Sequence, residues 1–421
     1  MSNFYFPALR EALVPAPGPR RVLGVATFVN NFGLGLVMTA MTLFFTGVTD
    51  LSTRQVGVGL TVAGIVGILG GIPVGELADR YGPREVARVV LLVEALVTAG
   101  YVLVQGFVAF LVVASLEMLS ISAFMAVNGA LVRRVGEKDA SVPNMMRAIA
   151  NVAISVGAVG CGVAVAIGTE NAFRVLILLN AVTFLVAWVV LGRLPHYSPL
   201  PRPVAEEGPS QRWIAVRDLP FVAFSALSGL MIIQSMVILE PLPLWVVDHT
   251  EAPGWVVPLF LVVNTALIAL FQVRVGKKVD TVTQGGAAMR RSGLVVLVSC
   301  ALIGFATGIP GWAAGLLLVV VVGVHTFGEL YYSSGAFAVG YGLAPEHAMG
   351  QYQGLMGTGM AVGMAMSPVL TIGVVLSLGT IGWVGLGVLF AICGLLMPVV
   401  ARWGVSTRPA EDPAPDTAFA G

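Results

Sequence analysis

The stretch Gly75-Glu76-Leu77-Ala78-Asp79-Arg80-Tyr81-Gly82-Pro83-Arg84-Glu85 breaks a long apolar background with two glycines, a proline and closely spaced charges. Apolar runs flank it on both sides, each long enough for a helix to cross a bilayer. A hydrocarbon core of about 30 Å takes roughly 20 residues of helix, and every backbone polar group in it must be satisfied within the segment. The stretch therefore reads as a short hairpin between two membrane helices.

Working outward from it, the rest of the chain repeats the pattern. The 421 residues are 57% apolar and only 11% charged, with 51 glycines, a balance that suits a polytopic membrane protein and not a water-soluble one. The period-2 alternation of a membrane barrel is absent. We expect an all-α membrane protein with twelve transmembrane helices. The first span is expected near residues 22–46, is too long for a cleaved signal, and is read as retained; the fifth is expected near 148–168 and the seventh near 219–246.

Orientation follows from the cations. With the N-terminus in the cytoplasm, all of the 23 Lys and Arg except Arg54 and Arg174 fall on the cytoplasmic side, the bias that sets topology. Both termini are thus expected in the cytoplasm, and the protein in the inner (plasma) membrane. A polar, proline-bearing segment separates two sets of six spans. The expected layout is an N-terminal bundle at 1–194, a cytoplasmic linker at 195–218, a C-terminal bundle at 219–405 and a disordered tail at 406–421. An internal repeat supports the division. Val74-Gly75 and Asp79 end the second span of the first half, and Val275-Gly276 and Asp280 end the second span of the second half.

The order G-x-L-A-D-R-x-G-x-R resembles the loop between the second and third helices of the major facilitator superfamily of transporters, with Pro83 standing where that family usually has a basic residue. The resemblance implies two pseudo-symmetric six-helix bundles that rock about a midplane site. It also implies a cytoplasmic gate at Gly75, Asp79, Arg80, Arg84 and Asp280. In that gate Asp79 latches the halves at the start of the eleventh helix, with Arg133 and Arg134 as candidate neighbours. Gly157-x-x-Gly160-x-Gly162 is similar to the glycine-rich fifth-helix motif of bacterial proton-driven drug efflux members, but Cys161 replaces the expected proline and the fourth-helix arginine is missing. The run Gly328-Glu329-Leu330, with Leu343-Ala344-Pro345 and Gly350 to Gly354, is similar to efflux members too.

Buried ionisable groups carry the chemical expectations. A charge at the bilayer centre costs about 2.5–3.5 kcal/mol even on insertion scales, so such residues mark ion or substrate pathways. Glu329, Glu117, Glu94 and His325 are the candidate proton-coupling groups. His325 lies four residues before Glu329, on the same helical face. Glu240, near the outer end of span seven, reads as a gate or interface residue. Every Lys and Arg is placed at a span end or in a loop, which leaves these carboxyls without a fixed cation and argues for a neutral or cationic, lipophilic cargo. Asn30, Asn31, Met38 and Asn264 are the candidate substrate-binding residues, with Phe44, Phe45 and further methionines offering adaptable apolar surface.

The expected activity is proton antiport that exports small lipophilic or cationic compounds, multidrug resistance among its possible outcomes; proton-coupled uptake of a neutral nutrient or peptide is the alternative. Small molecules, protons and lipid are the expected partners, nucleic acid is not, and the chain is expected as a monomer. Cys161, Cys300 and Cys393 show no metal-ligand spacing and lie in apolar segments, so neither a metal nor a disulfide framework is expected. No phosphate-binding loop is present, so no nucleotide cofactor is expected. A membrane enzyme would need a polar constellation near one interface, which four scattered histidines do not provide.

Overall fold

The computed structural model describes residues 15–38, 41, 44–45, 51–137, 139, 141–199 and 213–408. Most of the expected linker (200–212) and of the expected tail (from 409) lies outside them. The spanning helices are α1 (Pro19–Val37), α2 (Gln55–Tyr81), α3 (Pro83–Leu103), α4 (Gly106–Gly136), α5 (Ser141–Ile167), α6 (Glu170–Leu191), α7 (Leu219–Met236), α8 (Val256–Gly276), α9 (Val282–Gly304), α10 (Gly311–Gly342), α11 (Glu346–Gly373) and α12 (Thr380–Ser406). Eleven of them are long and apolar enough to cross a membrane, and α1, packed along α5 and α6, makes the twelfth.

Local chemistry sets the helix starts. Ser52 with Gln55, and Thr281 with Gln284, close reciprocal capping boxes at the starts of α2 and α9, each satisfying two backbone donors that would otherwise be orphaned. Pro83 opens α3, directly after Gly82 at φ 97°. A proline is at home there because the first helical N–H has no intrahelical partner. Its departure from the family pattern therefore has a structural reason in this chain.

Two expected spans are shorter than their apolar runs. α1 stops at Val37, and Phe44 and Phe45 are buried beyond it, with the Phe45 ring 4.5 Å from that of Phe110. Those two rings pack inside the first bundle. The seventh span breaks after Met236 and resumes as a helix over Pro241–His249. Pro241 and Pro243 cannot donate to the preceding turn, which ends the helix. Glu240 at the break accepts hydrogen bonds from Ser367 and Thr371 of α11, 2.8 Å each. It ties α7 to α11 within one half, the interface half of the expected gate-or-interface role.

Helices α1–α6 pack with one another, as do α7–α12. The bundles meet chiefly where α11 crosses α2 and α4 and where α5 runs beside α8. We call the end that bears both ends of the described chain the inner end. There Gly75 and Gly350 approach so closely that a Cβ on either would strike the other's carbonyl oxygen. The Asp79 carboxylate accepts from the backbone N–H of Gly350 at 2.7 Å and of Gln351 at 3.1 Å. An anion on the first N–H groups of a helix meets both its unsatisfied donors and its positive dipole end.

The other residues of the expected gate behave differently. Arg84 donates to the Gly192 carbonyl within its own half, and Arg80 is exposed. Arg133 faces Glu346 at 3.8 Å, and Arg134 donates to the Ser198 carbonyl at 2.5 Å. Asp280 is exposed, and only its backbone, through Gln284, is engaged. The repeat therefore survives in the glycines, since Gly276 packs on Asn144 of the opposite half, but not in the carboxylates.

Two outcomes follow for the inner end. Replacing Gly75 with Val should hold the inner ends apart, so that spin labels at Tyr81→Cys and Lys278→Cys report a longer separation than in the parent; an unchanged distance distribution counts against this contact as the closure point. The second concerns Asp139, which partial burial alone would push up. Hydrogen bonds from Ser141 and the Arg20 guanidinium at 2.8 Å outweigh burial and hold it below its ordinary value. A depressed carboxyl stabilises the fold above its unfolded pKa, and that contribution is lost as pH falls through the folded pKa. Asp139→Asn should therefore remove part of the acid limb of the stability–pH curve, by about 0.2–1 kcal/mol for so exposed a pair, read by thermal unfolding in detergent.

Candidate functional site

Three polar stripes meet between the halves. On α5, Asn144, Arg147, Asn151 and Ser155 recur every three to four residues, and so share a face. On α8 the stripe is Asn264, Thr265 and Gln272, and on α10 it is His325, Glu329, Ser333 and Ser334. Residues four apart on a helix lie one above another, so side chains from three helices form a single seam.

At its inner end Gln272, fully buried, donates from Nε2 to Asn144 Oδ1 (2.7 Å) across the boundary between the halves, and to Ser333 Oγ (3.0 Å). Ser334 donates to the same Asn144 oxygen at 2.9 Å. Higher up, Ser155 and Thr265 hydroxyls meet at 3.2 Å. Amide and hydroxyl contacts between membrane helices contribute about 0.6–2 kcal/mol each, so this seam closes the halves on one another. A cleft of about 200 Å³ lined by Asp139, Asp280, Asn144 and Ser334 reaches it from the inner surface.

Glu329 sits in the middle of the seam, 4% exposed. Its Oε2 accepts from Asn264 Nδ2 at 3.2 Å, and its Oε1 lies 3.8 Å from His325 Nε2. His325 is anchored by Nε2–H donating to the Gln234 carbonyl at 2.9 Å and by Nδ1 against the Ser299 hydroxyl at 2.9 Å. The break in α7 supplies that carbonyl. Asn264 also donates to Thr326 at 3.1 Å, so the carboxyl is oriented by α8 and by its own helix.

One expectation needs correcting. Arg147 is not in a loop: α5 begins at Ser141, two turns earlier than the apolar run suggests, and carries Arg147 inside the helix, half-buried. Its guanidinium is close enough to Glu329 and Tyr332 to act on both electrostatically. Glu329 thus lies within electrostatic range of a cation from the opposite half, so an interior without cations no longer argues for a cationic cargo.

Glu117 and Glu94 are not part of this seam. Glu117, 8% exposed on α4, accepts the Thr98 hydroxyl at 3.0 Å on both oxygens, and Glu94, 2% exposed on α3, is near enough to interact with it. They form a separate acidic pair inside the first bundle. The Glu94 Oε2 is buried with no hydrogen-bond partner.

On α1, Asn31 donates to the Thr27 carbonyl of its own helix, while Asn30 Oδ1 is buried and unpartnered. Met38 is 53% exposed at the helix end. The structure therefore unites Glu329, His325 and Asn264 and leaves the three α1 residues apart. Asn144, Arg147 and Gln272 escaped the sequence reading. The polar spacing on α5, and a glutamine eight residues after Asn264 in an apolar run, were the available signals.

Residues 23–368 match the Major Facilitator Superfamily model, and the chain belongs to that family. It is a multi-pass membrane transporter. Among solved structures it is similar to an MFS transporter, FucP, in the outward conformation, at 14% identity and TM-score 0.70, covering 92% of this chain and 98% of that one. It is similar to a bacterial homologue of the iron transporter ferroportin in an outward-facing state, at 15% identity and TM-score 0.69, covering 92% and 99%. The human organic anion transporter MFSD10 (TETRAN) matches at 16% identity and TM-score 0.62, covering 92% and 100%. At such identities the likeness is one of fold. No curated protein matches the sequence.

Replacing Gln272 with Leu removes the one donor that bonds Asn144 and Ser333 together across the seam. The variant should lose about 0.6–2 kcal/mol of stability and shift towards inner-end opening, seen as faster alkylation of a cysteine placed at Ser334. Alkylation as slow as in the same cysteine background with Gln272 present counts against the seam as a closure element.

Proposed function

We propose that this transporter is a proton-coupled antiporter that exports small lipophilic compounds, with Glu329 carrying the proton. The observation that supports it is the position of Glu329: a carboxyl buried at mid-helix, oriented by Asn264 and His325, on the seam along which the halves must part. A group placed there is reached from opposite sides in turn as the halves rock, and it can exchange a proton with each side.

The cation distribution assigns the inner end to the cytoplasm. Closure there, through Gly75–Gly350, Asp79 on α11, and Asn144–Gln272, corresponds to a state open outward. Asp79 acts as the inner latch in this reading, because its two hydrogen bonds join the halves and must break each cycle. The cleft beneath Asn144 and Ser334 is the route by which the Glu329 proton leaves to the cytoplasm once the seam loosens. Glu94 and Glu117, whose contacts lie within one bundle, take no direct part in this exchange.

The resemblance of the Gly328–Leu330 and Gly350–Gly354 runs to efflux members supports the export direction, while Cys161 in place of the expected proline of α5 and the missing fourth-helix arginine weigh against it. Uptake with a proton is the competing direction, and one assay separates them. In inside-out vesicles with an acid interior, adding an exported compound should discharge the proton gradient; compound and proton moving the same way would reject exchange. Glu329→Gln should abolish the discharge while retaining counterflow of unlabelled for labelled compound. A Gln variant whose proton movement matches the parent removes Glu329 from the role.

A further inference from the structure

Arg147 is a basic side chain on the seam whose charge has no settled partner. Its Nε is buried with no hydrogen-bond acceptor, and among the described residues no carboxylate stands at ion-pairing distance from it. Glu329 lies within electrostatic range, but its oxygens are engaged by Asn264 and approached by His325. The Tyr332 hydroxyl, the other titratable group facing Arg147, donates to the Ser228 carbonyl at 2.9 Å. A half-buried guanidinium with no ion-pair partner loses part of its hydration without compensation, and its planar fork of donors suits a carboxylate held by two parallel bonds. Outward along the same helix, a shallow, open and largely apolar hollow of about 410 Å³ is lined by Phe32, Val152, Ser155, Val156, Val159, Gly160 and Thr265.

We propose that Arg147 docks a carboxylate on the exported compound, whose apolar body lies along the hollow, and that Glu329 is the competitor that ejects it. This rests on the exchange reading. When the inner end is open, α5 and α10 are apart there, and Arg147 is free to take the cargo's carboxylate while Glu329 gives its proton to the cytoplasm. Closure of the inner end brings ionised Glu329 up to Arg147. Two carboxylates then compete for one guanidinium, and the cargo leaves outward. A proton arriving from outside neutralises Glu329, removes its attraction for Arg147, and allows the inner end to reopen. Each cycle moves one proton in and one anion out, and no other reactant is needed.

The test uses the full chain in proteoliposomes, with 1-naphthoate, 4-phenylbutyrate and decanoate as probes and the primary amide of each as an uncharged control. Binding is read by tryptophan fluorescence. The parent should bind at least one acid about tenfold tighter than its amide, and tighter in mildly acid than in mildly alkaline buffer, where ionised Glu329 competes. Arg147→Gln should lose the preference for the acid, and Arg147→Lys should keep part of it. Glu329→Gln, with the competitor gone, should bind the acid more tightly than the parent and without its pH dependence. That gain cannot arise from an arginine that only holds the fold.

Equal binding of acid and amide by the parent, binding of none of the acids, a preference retained by Arg147→Gln, or weaker acid binding by Glu329→Gln would overturn the proposal. Proton movement in the same vesicles is followed separately with an internal pH dye. Loss of acid recognition with exchange intact therefore refutes Arg147 alone, and loss of exchange with acid recognition intact refutes the coupling alone.

Discussion

Hydrocarbon offers no water to a charge, so each ionised side chain carried into a bilayer must find a counter-charge, a set of donors or a proton. In this chain the constraint bears hardest on the α5–α8–α10 seam, where Glu329 from one half and Arg147 from the other come within electrostatic range. Glu329 is held by Asn264 and His325 of its own bundle, whereas the Arg147 Nε has no hydrogen-bond partner. The attraction between the two depends on how the bundles stand relative to one another. A carboxyl sealed within one bundle, like Glu117 against Thr98, lacks that dependence.

Closure of the inner end draws on a second property of the chain, the close approach that glycine permits. Gly75 against Gly350 and Gly71 against Gly354 bring α2 and α11 into backbone contact, near enough for Asp79 to reach the first N–H groups of α11. Each contact is modest alone, since a carboxylate at an exposed helix start contributes about 0.3–1 kcal/mol and an amide pair about as much. Under the proposed exchange, a set of modest contacts suits an interface that opens on every cycle. One very strong bond there would trap the transporter in a single state.

Much of this was legible beforehand, for stated reasons. Apolar run length counts spans because the bilayer thickness is fixed, and it failed only where another rule intervened. Pro241 and Pro243 broke α7, and α5 reached back to Ser141 because polar residues can continue a helix wherever a partner bundle covers them. The second failure mattered more, for it hid Arg147 at the end of an apolar run and made the interior look free of cations. Asp79 and Asp280 show the same limit from the other side. Equivalent in sequence, they differ in the structure, one reaching across to α11 and the other exposed.

From the amino-acid order alone came the twelve helices, the hairpin at Gly75–Arg84, the division into halves and the burial of a carboxyl at Glu329, all of which follow from local hydrophobicity and from the cost of a lone charge in lipid. Pairings across the bundles came only with the tertiary structure: Asp79 on Gly350, Gln272 on Asn144, and Arg147 opposite Glu329. The reason is physical. Helix formation depends on neighbours within a turn or two, whereas which faces meet depends on the rotation and tilt of helices more than a hundred residues apart, and no local pattern encodes that angle.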